Sequence, residues 1–396
     1  MTQRFAPDIA VLLDLLDDEV PSAIELRHRL HLEPEVGGHE DKTPRLVADA
    51  LDAPDAPWVT QGRIVRIGAD SGPAIALRAE LDALPGRETS GLPWASGNGA
   101  THMCGHDIHM AALVAACRTL RRAQAPVPVV AILQPREELA PGGAVDMMAS
   151  PVLGDHDIAA VLAVHVQPRL AVGTFSAAGG AVNASADEFT ITILGQPGHG
   201  AYPHVTRDPI VAAAAVVTAL QHLVSRTTDP MKPVVITIGT IHGGEAPNAV
   251  PSSVIMTGTL RTFEDSERAR LHAAIASCAE LTAQAYGCSA EVIASMGEPP
   301  LVNDAALAQA VTRGISATGL VSADPLRSCG ADDFACYGDR YPIVMVFYGV
   351  GTGAPGEPGL HHPSFAPDDS HVRGVAAALL AAYVATCEEL SAELLG

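Results

Sequence analysis

A chain of 396 residues exceeds what one core usually serves, so two domains are expected. Hydrophobic residues at 48% against 17% charged supply an ample core with only 4% aromatics, and no apolar run reads as long enough to cross a bilayer, which describes an α/β protein rich in Ala and Val. The formal charge of -21 argues against nucleic acid and acidic membranes as partners, because phosphate binding needs a surplus of Lys and Arg.

With so acidic a chain, a site for an anionic substrate has to draw positive potential from metal ions or from single placed Arg and His side chains. The first twenty residues alternate Leu and Asp in a helical pattern, without the basic start and apolar stretch of a signal peptide. Seven scattered cysteines, an odd number, suit reduced thiols in a cytoplasm. Helix continues over 21–30 into His31-Leu32-Glu33-Pro34-Glu35, where Pro34 stops it. Two β-rich runs follow, 62–69 and 74–81, the second apolar enough for a buried strand and ending in Glu80-Leu81-Asp82-Ala83-Leu84-Pro85. Acidic residues at the carboxyl end of a buried strand stand where α/β proteins place their sites, which makes Asp82 a candidate; a strand end is also simply where polarity returns.

Next comes Thr101-His102-Met103-Cys104-Gly105-His106-Asp107-Ile108-His109, the densest group of metal-binding side chains in the chain. A thiolate and imidazoles are the ligands that Zn, Mn, Co or Ni sites select, and Gly105 lets Cys104 and His106 converge; alone, the triplet also fits a capped helix start. Residues 110–122 have the spacing of a buried crossover helix feeding a strand at 127–133, an order that implies parallel pairing. That strand ends in Gln134-Pro135-Arg136-Glu137-Glu138, ahead of Pro141-Gly142-Gly143 and a helix at 144–148. Adjacent carboxylates leaving a buried strand point to different sides, so one can hold a metal while its neighbour faces a substrate; a charged turn is the plainer origin of such a pair. A strand at 158–164 then delivers His165.

From about residue 184 the texture changes to alternating strands and two long helices. Strands are expected at 187–194, 234–241, 253–262 and 289–294, and helices at 208–225 and 264–286. The first strand leads to the glycine-rich Gly195-Gln196-Pro197-Gly198-His199-Gly200 loop. This βαββαβ order reads as a ferredoxin-like α+β domain, 184–296, inserted between catalytic parts 1–183 and 297–396. The closing part carries a helix at 304–317, the loop Cys329-Gly330-Ala331-Asp332-Asp333-Phe334, a strand at 343–348, Gly359-Leu360-His361-His362-Pro363, and a last helix at 369–394.

Taken together and in this order, these segments resemble the M20 metallopeptidase family, in its amidohydrolase branch of aminoacylases, hippurate hydrolases and auxin-conjugate hydrolases. The segments that carry the resemblance are His31 to Glu35, Arg78 to Pro85, His102 to Asp107, Glu137-Glu138, Gly198-His199-Gly200-Ala201, Asn248 with Pro251, Asp332-Asp333-Phe334 and Leu360-His361-His362-Pro363. The resemblance implies a catalytic domain with a largely parallel sheet and an inserted lid or dimerisation domain. It implies metal ligands Cys104, His106, Glu138, His165 and His361, the last chosen over His362 by a Leu-His-x-Pro pattern. Two departures stand out: Glu80 where the family has Asp, and Met103 where it has Ala; neither is a ligand position, though Glu80 could reshape the approach to the site.

Five ligands are too many for one tetrahedral ion and suit a pair of divalent ions about 3.5–4 Å apart. The Cys104 thiolate, with several lone pairs, is the expected bridge. Asp82 and Asp107 are expected to steady ligand imidazoles. Glu137 is expected as general base and then acid, and His199 as a donor to the oxyanion, supplied by the partner subunit in dimeric members of the family. Asn248 and Arg261 are candidates for holding the substrate's carboxylate. The expected reaction is hydrolysis of an N-acyl amino acid by a cytoplasmic homodimer or dimer-based oligomer. A dipeptidase or carboxypeptidase of the same superfamily is the nearer rival, a metal-free thiol hydrolase using Cys104 with His106 is a more distant one, and a non-catalytic binding protein that kept the scaffold is the last.

Overall fold

The structure is a computed structural model that describes residues 6–395. Its internal contacts divide the chain into two units: Met1–Gly180 with Val302–Leu326 and Asp333–Gly396, and Ala181–Leu301 with Arg327–Asp332. Against the sequence reading of 184–296, the second unit therefore starts earlier, ends later and takes in a short return of the chain. There Ala184 donates its N–H to Ser328 and Ser328 donates to Val182, a non-periodic pairing that leaves no pattern in the letters.

The first unit is built on an eight-stranded mixed sheet, in the order Trp58–Val59, Gly62–Ile67, Val129–Gln134, Ala74–Glu80, Ile158–Ala171, Ile343–Gly351, Thr174–Ser176, Val321–Ser322. Its four central strands are mutually parallel. Ala74–Glu80, Val129–Gln134 and Ile343–Gly351 are buried at every residue, which is why they read as unbroken apolar runs rather than alternating ones. Register decides where the chemistry gathers: Glu80 lies opposite Gln134, and Arg78 opposite Ala163 puts Glu80 level with His165 two residues on. The carboxyl ends of these strands thus finish on one side, at the position where open α/β sheets carry their sites.

Helices Ile9–Leu32, His106–Arg122 and Ser370–Leu395 pack against one another over this sheet. Leu12, Leu16, Leu77, Ile108, Leu113, Val346 and Leu380 are fully enclosed in the common core, where truncating one Leu to Ala costs about 2–5 kcal/mol. Contrary to the sequence reading, two helical stretches, Pro209–Thr227 and Ser370–Ser391, are long and apolar enough by length and composition to cross a bilayer. The second is 72% buried inside the first unit, so its apolar surface is already used by the core.

The second unit is an antiparallel sheet in the order Val234–Gly243, Ser253–Thr262, Asp187–Leu194, Ser289–Ser295. Alternate residues Phe189, Ile191, Ile193, Val254, Met256 and Leu260 turn to one face, where they meet Ala212, Val216 and Leu220 of Pro209–His222 and Leu271 and Ile275 of Asp265–Ala285. Period-2 alternation in the strands is what the antiparallel layer requires, and each helix buries one face against it, although Pro209–His222 also leaves Ile210 and Val211 exposed. The helices end where expected, with the Asp208 carboxylate accepting the Ile210 and Val211 N–H groups at the start of Pro209–His222.

Candidate metal centre and active site

The site starts from one glycine. Gly105 has φ 86, the left-handed region, and a Cβ there would stand 2.5 Å from Val166 Cγ2. Only glycine allows both the turn and the close approach, so the Cys104 loop presses directly on the strand that carries His165. Helix His106–Arg122 begins at the next residue, and its first turn puts His106 and His109 on one face.

Main-chain carbonyls then fix the imidazoles. His106 Nδ1 donates to the Asp82 carbonyl at 2.8 Å, and His165 Nδ1 donates to the Val166 carbonyl at 2.7 Å, so each ring is fixed through Nδ1 and turns its Nε2 inward. His106 Nε2 faces Glu137 Oε2 at 3.9 Å and Glu138 Oε1 at 4.0 Å. His165 Nε2 lies 3.5 Å from Cys104 Sγ, and His361 Nε2 lies 3.3 Å from Glu138 Oε1. Cys104, His106 and Glu138 bring their ligand atoms within 4.8 Å of one another, as do Glu80, His106, His109 and His165. The register at the C-terminal doublet is plain: His361 turns to Glu138, while His362 Nδ1 is engaged by the Ser364 hydroxyl at 2.7 Å. Met103 meets the site through its main chain, whose carbonyl accepts the His361 N–H at 2.8 Å, while its side chain is buried in the core of the first unit.

Among the described residues, His106 Nε2, Glu138 Oε1 and Asp82 Oδ1 are buried without a hydrogen bond. Lone pairs facing lone pairs in a buried place are unfavourable unless a cation or proton lies between them. Two ligands held about 2.0–2.2 Å from one ion stand at most ~4.4 Å apart, and the His106–Glu138 separation falls inside that limit, so this donor set fits a metal. The electrostatics agree. Burial, reinforced by Glu138, Glu137 and Glu80, pushes the Cys104 thiol well above the ordinary range. Burial would lower His106, but the Asp82, Glu80 and Glu138 carboxylates outweigh it and push it up to about 10. Burial, with His109 beside it, takes His165 down to about 3. A thiol raised in this way makes a poor nucleophile by itself, which weighs against a metal-free thiol hydrolase.

Around these atoms stands a layer of buried partners. Asp82 serves two residues, its carbonyl holding His106 and its Oδ2 accepting the Glu138 N–H at 2.9 Å. Glu80 pairs with Arg78 and accepts from His109 Nδ1 at 2.9 Å, while His109 Nε2 accepts the Val166 N–H at 3.0 Å. Glu80 and His109 were missed as site residues, although two-residue spacing from Asp82 on a strand and three-residue spacing from His106 on a helix both signal a shared face. Asp107 corrects the sequence reading: its Oδ2 accepts from Arg27 Nε at 2.8 Å and His31 Nδ1 at 2.9 Å, not from an expected ligand. One step along a helix turns a side chain by about 100°, which sends Asp107 toward helix Ile9–Leu32 while His106 faces Glu137 and Glu138. His31, buried between Asp107 and Glu88 with Nε2 3.0 Å from Glu88, resists burial and is raised by the two carboxylates.

The second unit places His199 and Asn248 side by side. Gly198–His199 pairs with Ala249–Val250, and Gly200 donates its N–H to the Asn248 carbonyl at 2.7 Å. His199 is exposed, and its Nδ1 accepts the Ala201 N–H at 3.0 Å, which leaves a proton on Nε2 as an outward donor. Arg261 is half-buried at the opposite end of the sheet, opposite Val235. Seven residue steps of strand, about 23 Å, separate it from Val254 at the Asn248 end. One copy of this unit therefore does not close Asn248 and Arg261 around a single carboxylate, a consequence of strand length that the isolated motifs conceal.

Residues 76–384 match the model of a family described as peptidase family M20/M25/M40. The chain is 35% identical over 359 residues to an N-acetyl-L-cysteine deacetylase of Bacillus subtilis, covering 88% of this chain and 84% of that protein. It is 31% identical over 363 residues to an N-acetyldiaminopimelate deacetylase of the same organism, covering 89% and 96%. The crystal structure of the B. subtilis YxeP protein, described as a dinuclear metal-binding peptidase, superposes with a TM-score of 0.82 at 30% identity, covering 94% of this chain and 99% of that one.

Proposed function

Since the chain belongs to peptidase family M20/M25/M40, we propose that it is a metal-dependent amidohydrolase that removes the acyl group from N-acyl amino acids. The observation that carries the reading is a pair of buried atoms without a hydrogen bond, His106 Nε2 and Glu138 Oε1, 4.0 Å apart, with Glu137 Oε2 at 3.9 Å from the same nitrogen and His361 Nε2 at 3.3 Å from the same oxygen. The similarity to N-acetyl amino acid deacetylases favours an N-acyl amino acid over a dipeptide or a peptide end.

Cys104, His106, Glu138, His165 and His361 would hold two divalent cations, Zn, Mn, Co or Ni. Cys104 would be a ligand central to this set, since its Sγ groups with His106 and Glu138 and also stands 3.5 Å from His165 Nε2. When bound, the ions would polarise the amide carbonyl and lower the pKa of a water from 15.7 to about 7. Glu137 takes the proton from the attacking water and returns it to the departing amine nitrogen; its Oε2 stands at the same opening as His106 Nε2. Asp82 keeps both His106 and the Glu138 main chain in place while this happens. His199 offers Nε2–H to the oxyanion, a role supported by its fixed tautomer, and Asn248, in the turn just before the adjoining strand Ala249–Val250, would contact the substrate. Dimerisation would bring such a loop from a second copy.

The test is a screen of metal-stripped protein reloaded with each of the four metals in turn, with metal content measured on the same sample. N-acetyl and N-benzoyl amino acids are assayed beside dipeptides. We expect N-acyl amino acids to be cleaved only by loaded protein carrying two ions per chain. Faster turnover of dipeptides would shift the reading to a peptidase, and activity indifferent to chelator would end it.

A further inference from the structure

Arg136 adopts φ 54, in the left-handed region that an L side chain rarely takes, one residue before the Glu137-Glu138 pair. Its peptide is restrained on both sides. The N–H donates to Glu40 Oε1 at 2.7 Å, and the carbonyl accepts the Gly143 N–H at 3.0 Å. The side chain is tied down as well, Nε donating to the Pro141 carbonyl at 3.0 Å and Nη2 to Asp146 at 2.7 Å. Gly143 is itself obligatory, because a Cβ there would meet the Pro135 carbonyl oxygen at 1.9 Å. Two residues on, the Glu138 N–H is caught by Asp82.

Glu40 is the unexpected member of this turn. It lies nearly a hundred residues upstream, is 2% exposed, and its second oxygen, Oε2, makes no hydrogen bond. Burying a carboxyl with one oxygen unsatisfied is unfavourable, so the group is out of place as mere filling. Backbone strain of this kind persists where the surroundings over-determine it. We infer that Glu40 is a positioning residue: its buried carboxyl pins the Arg136 peptide in the left-handed conformation and so sets the direction in which Glu137 and Glu138 leave strand Val129–Gln134. Without that acceptor, the Arg136 peptide relaxes toward negative φ and both carboxylates swing off the line to His106. This inference rests on the amidohydrolase reading only for the catalytic part of its test.

The experiment compares Glu40→Ala in two backgrounds, the natural chain and Arg136→Gly, where glycine takes positive φ without strain. Losing a partner that orients a ligand or catalytic group costs about 10–100-fold in activity or metal affinity. Glu40→Ala is expected to lower kcat about tenfold with KM within twofold, and to weaken the Mn or Zn dissociation constant about tenfold. Glu40→Gln, which keeps an acceptor, is expected to restore most of both. In the Arg136→Gly background the same Glu40→Ala change is expected to cost less than threefold. Equal losses in the two backgrounds would show that Glu40 acts elsewhere, and an unchanged kcat and metal affinity in Glu40→Ala would overturn the inference outright. Should Glu40→Ala not fold, Glu40→Asp, which draws the acceptor back by one methylene, replaces it with the same expectations. The metal-affinity arm reads Glu40 even if the natural enzyme cleaves no N-acyl amino acid, a result that would remove the amidohydrolase reading alone.

Discussion

Each unit of this protein buries a cluster of charge, and the two clusters are built on opposite principles. In the second unit Asp187, wholly enclosed, collects Arg268 Nε at 2.8 Å, His272 Nε2 at 2.8 Å and the Gly297 N–H at 3.0 Å. Acceptor meets donor at every contact, so the cluster is complete as protein. In the first unit His106 Nε2 and Glu138 Oε1 stand 4.0 Å apart without a hydrogen bond, beside Cys104, with Glu80 and Asp82 adding negative charge behind them. Both groups are rich in ionisable side chains and both are buried. What separates the two is that both carboxylate oxygens of Asp187 have donors facing them, whereas His106 Nε2 and Glu138 Oε1 make no hydrogen bond.

The comparison can be broken by removing one member from each. The largest effect is expected from Cys104→Ala, which should lose bound metal and all detectable hydrolysis; full occupancy by elemental analysis would make the thiol structural. Glu137→Gln should keep the metal and lower kcat by about 10²–10⁴-fold, and normal turnover would remove Glu137 from the chemistry. His199→Ala, outside the metal cluster, should lower kcat about 10²–10³-fold with metal content intact, the size expected for one lost oxyanion donor. Asp187→Ala should leave kcat and metal content unchanged and instead lower unfolding stability by about 3–5 kcal/mol, read by denaturant titration. An activity loss there without a stability loss would erase the distinction.

Acidity sharpens the same contrast with smaller effects. Metal entry has to displace protons from Cys104 and from His106, whose pKa stands at about 10, so affinity should rise with pH, by up to about tenfold per unit for each proton released. Without metal, the raised His106 contributes stability that is full below its ordinary value near 6.5 and is lost as pH rises toward 10. The closed cluster has the reverse sign. Burial would raise Asp187, but Arg268, His272 and the Gly297 N–H hold it lower, so its contribution is present above the usual carboxylate range near 3.9 and is lost as pH falls through the depressed value. Calorimetry of the metal-free protein from acid to alkaline pH would resolve the two.

Much of the open cluster was legible because its members announce themselves locally. Cys104 and His106 flank a glycine, Glu137 and Glu138 leave an apolar run, and His165 ends another. The resemblance chose His361 over His362; of the two rings, His361 stands beside Glu138 and His362 beside Ser364. What escaped depends on long-range register. Asp107 finds Arg27 on a helix some eighty residues earlier, Glu40 reaches Arg136 across a similar distance, and Arg261 is carried away from Asn248 by the length of one strand. The apolar content of Ser370–Leu395 was visible, but its bearing on a membrane became plain only once its burial was known.

Asp82 anchors His106 with its carbonyl oxygen and Glu138 with its carboxylate. A saturation scan of this position leaves the first tie in place while it removes the second and the carboxylate charge that raises His106, since every genetically encoded replacement carries the same carbonyl. Asp82→Asn and Asp82→Ala should disturb the Glu138 arm while His106 keeps its tautomer. Removing the other arm calls for an ester in place of the peptide on the carboxyl side of residue 82, a weaker acceptor, made by chemical ligation.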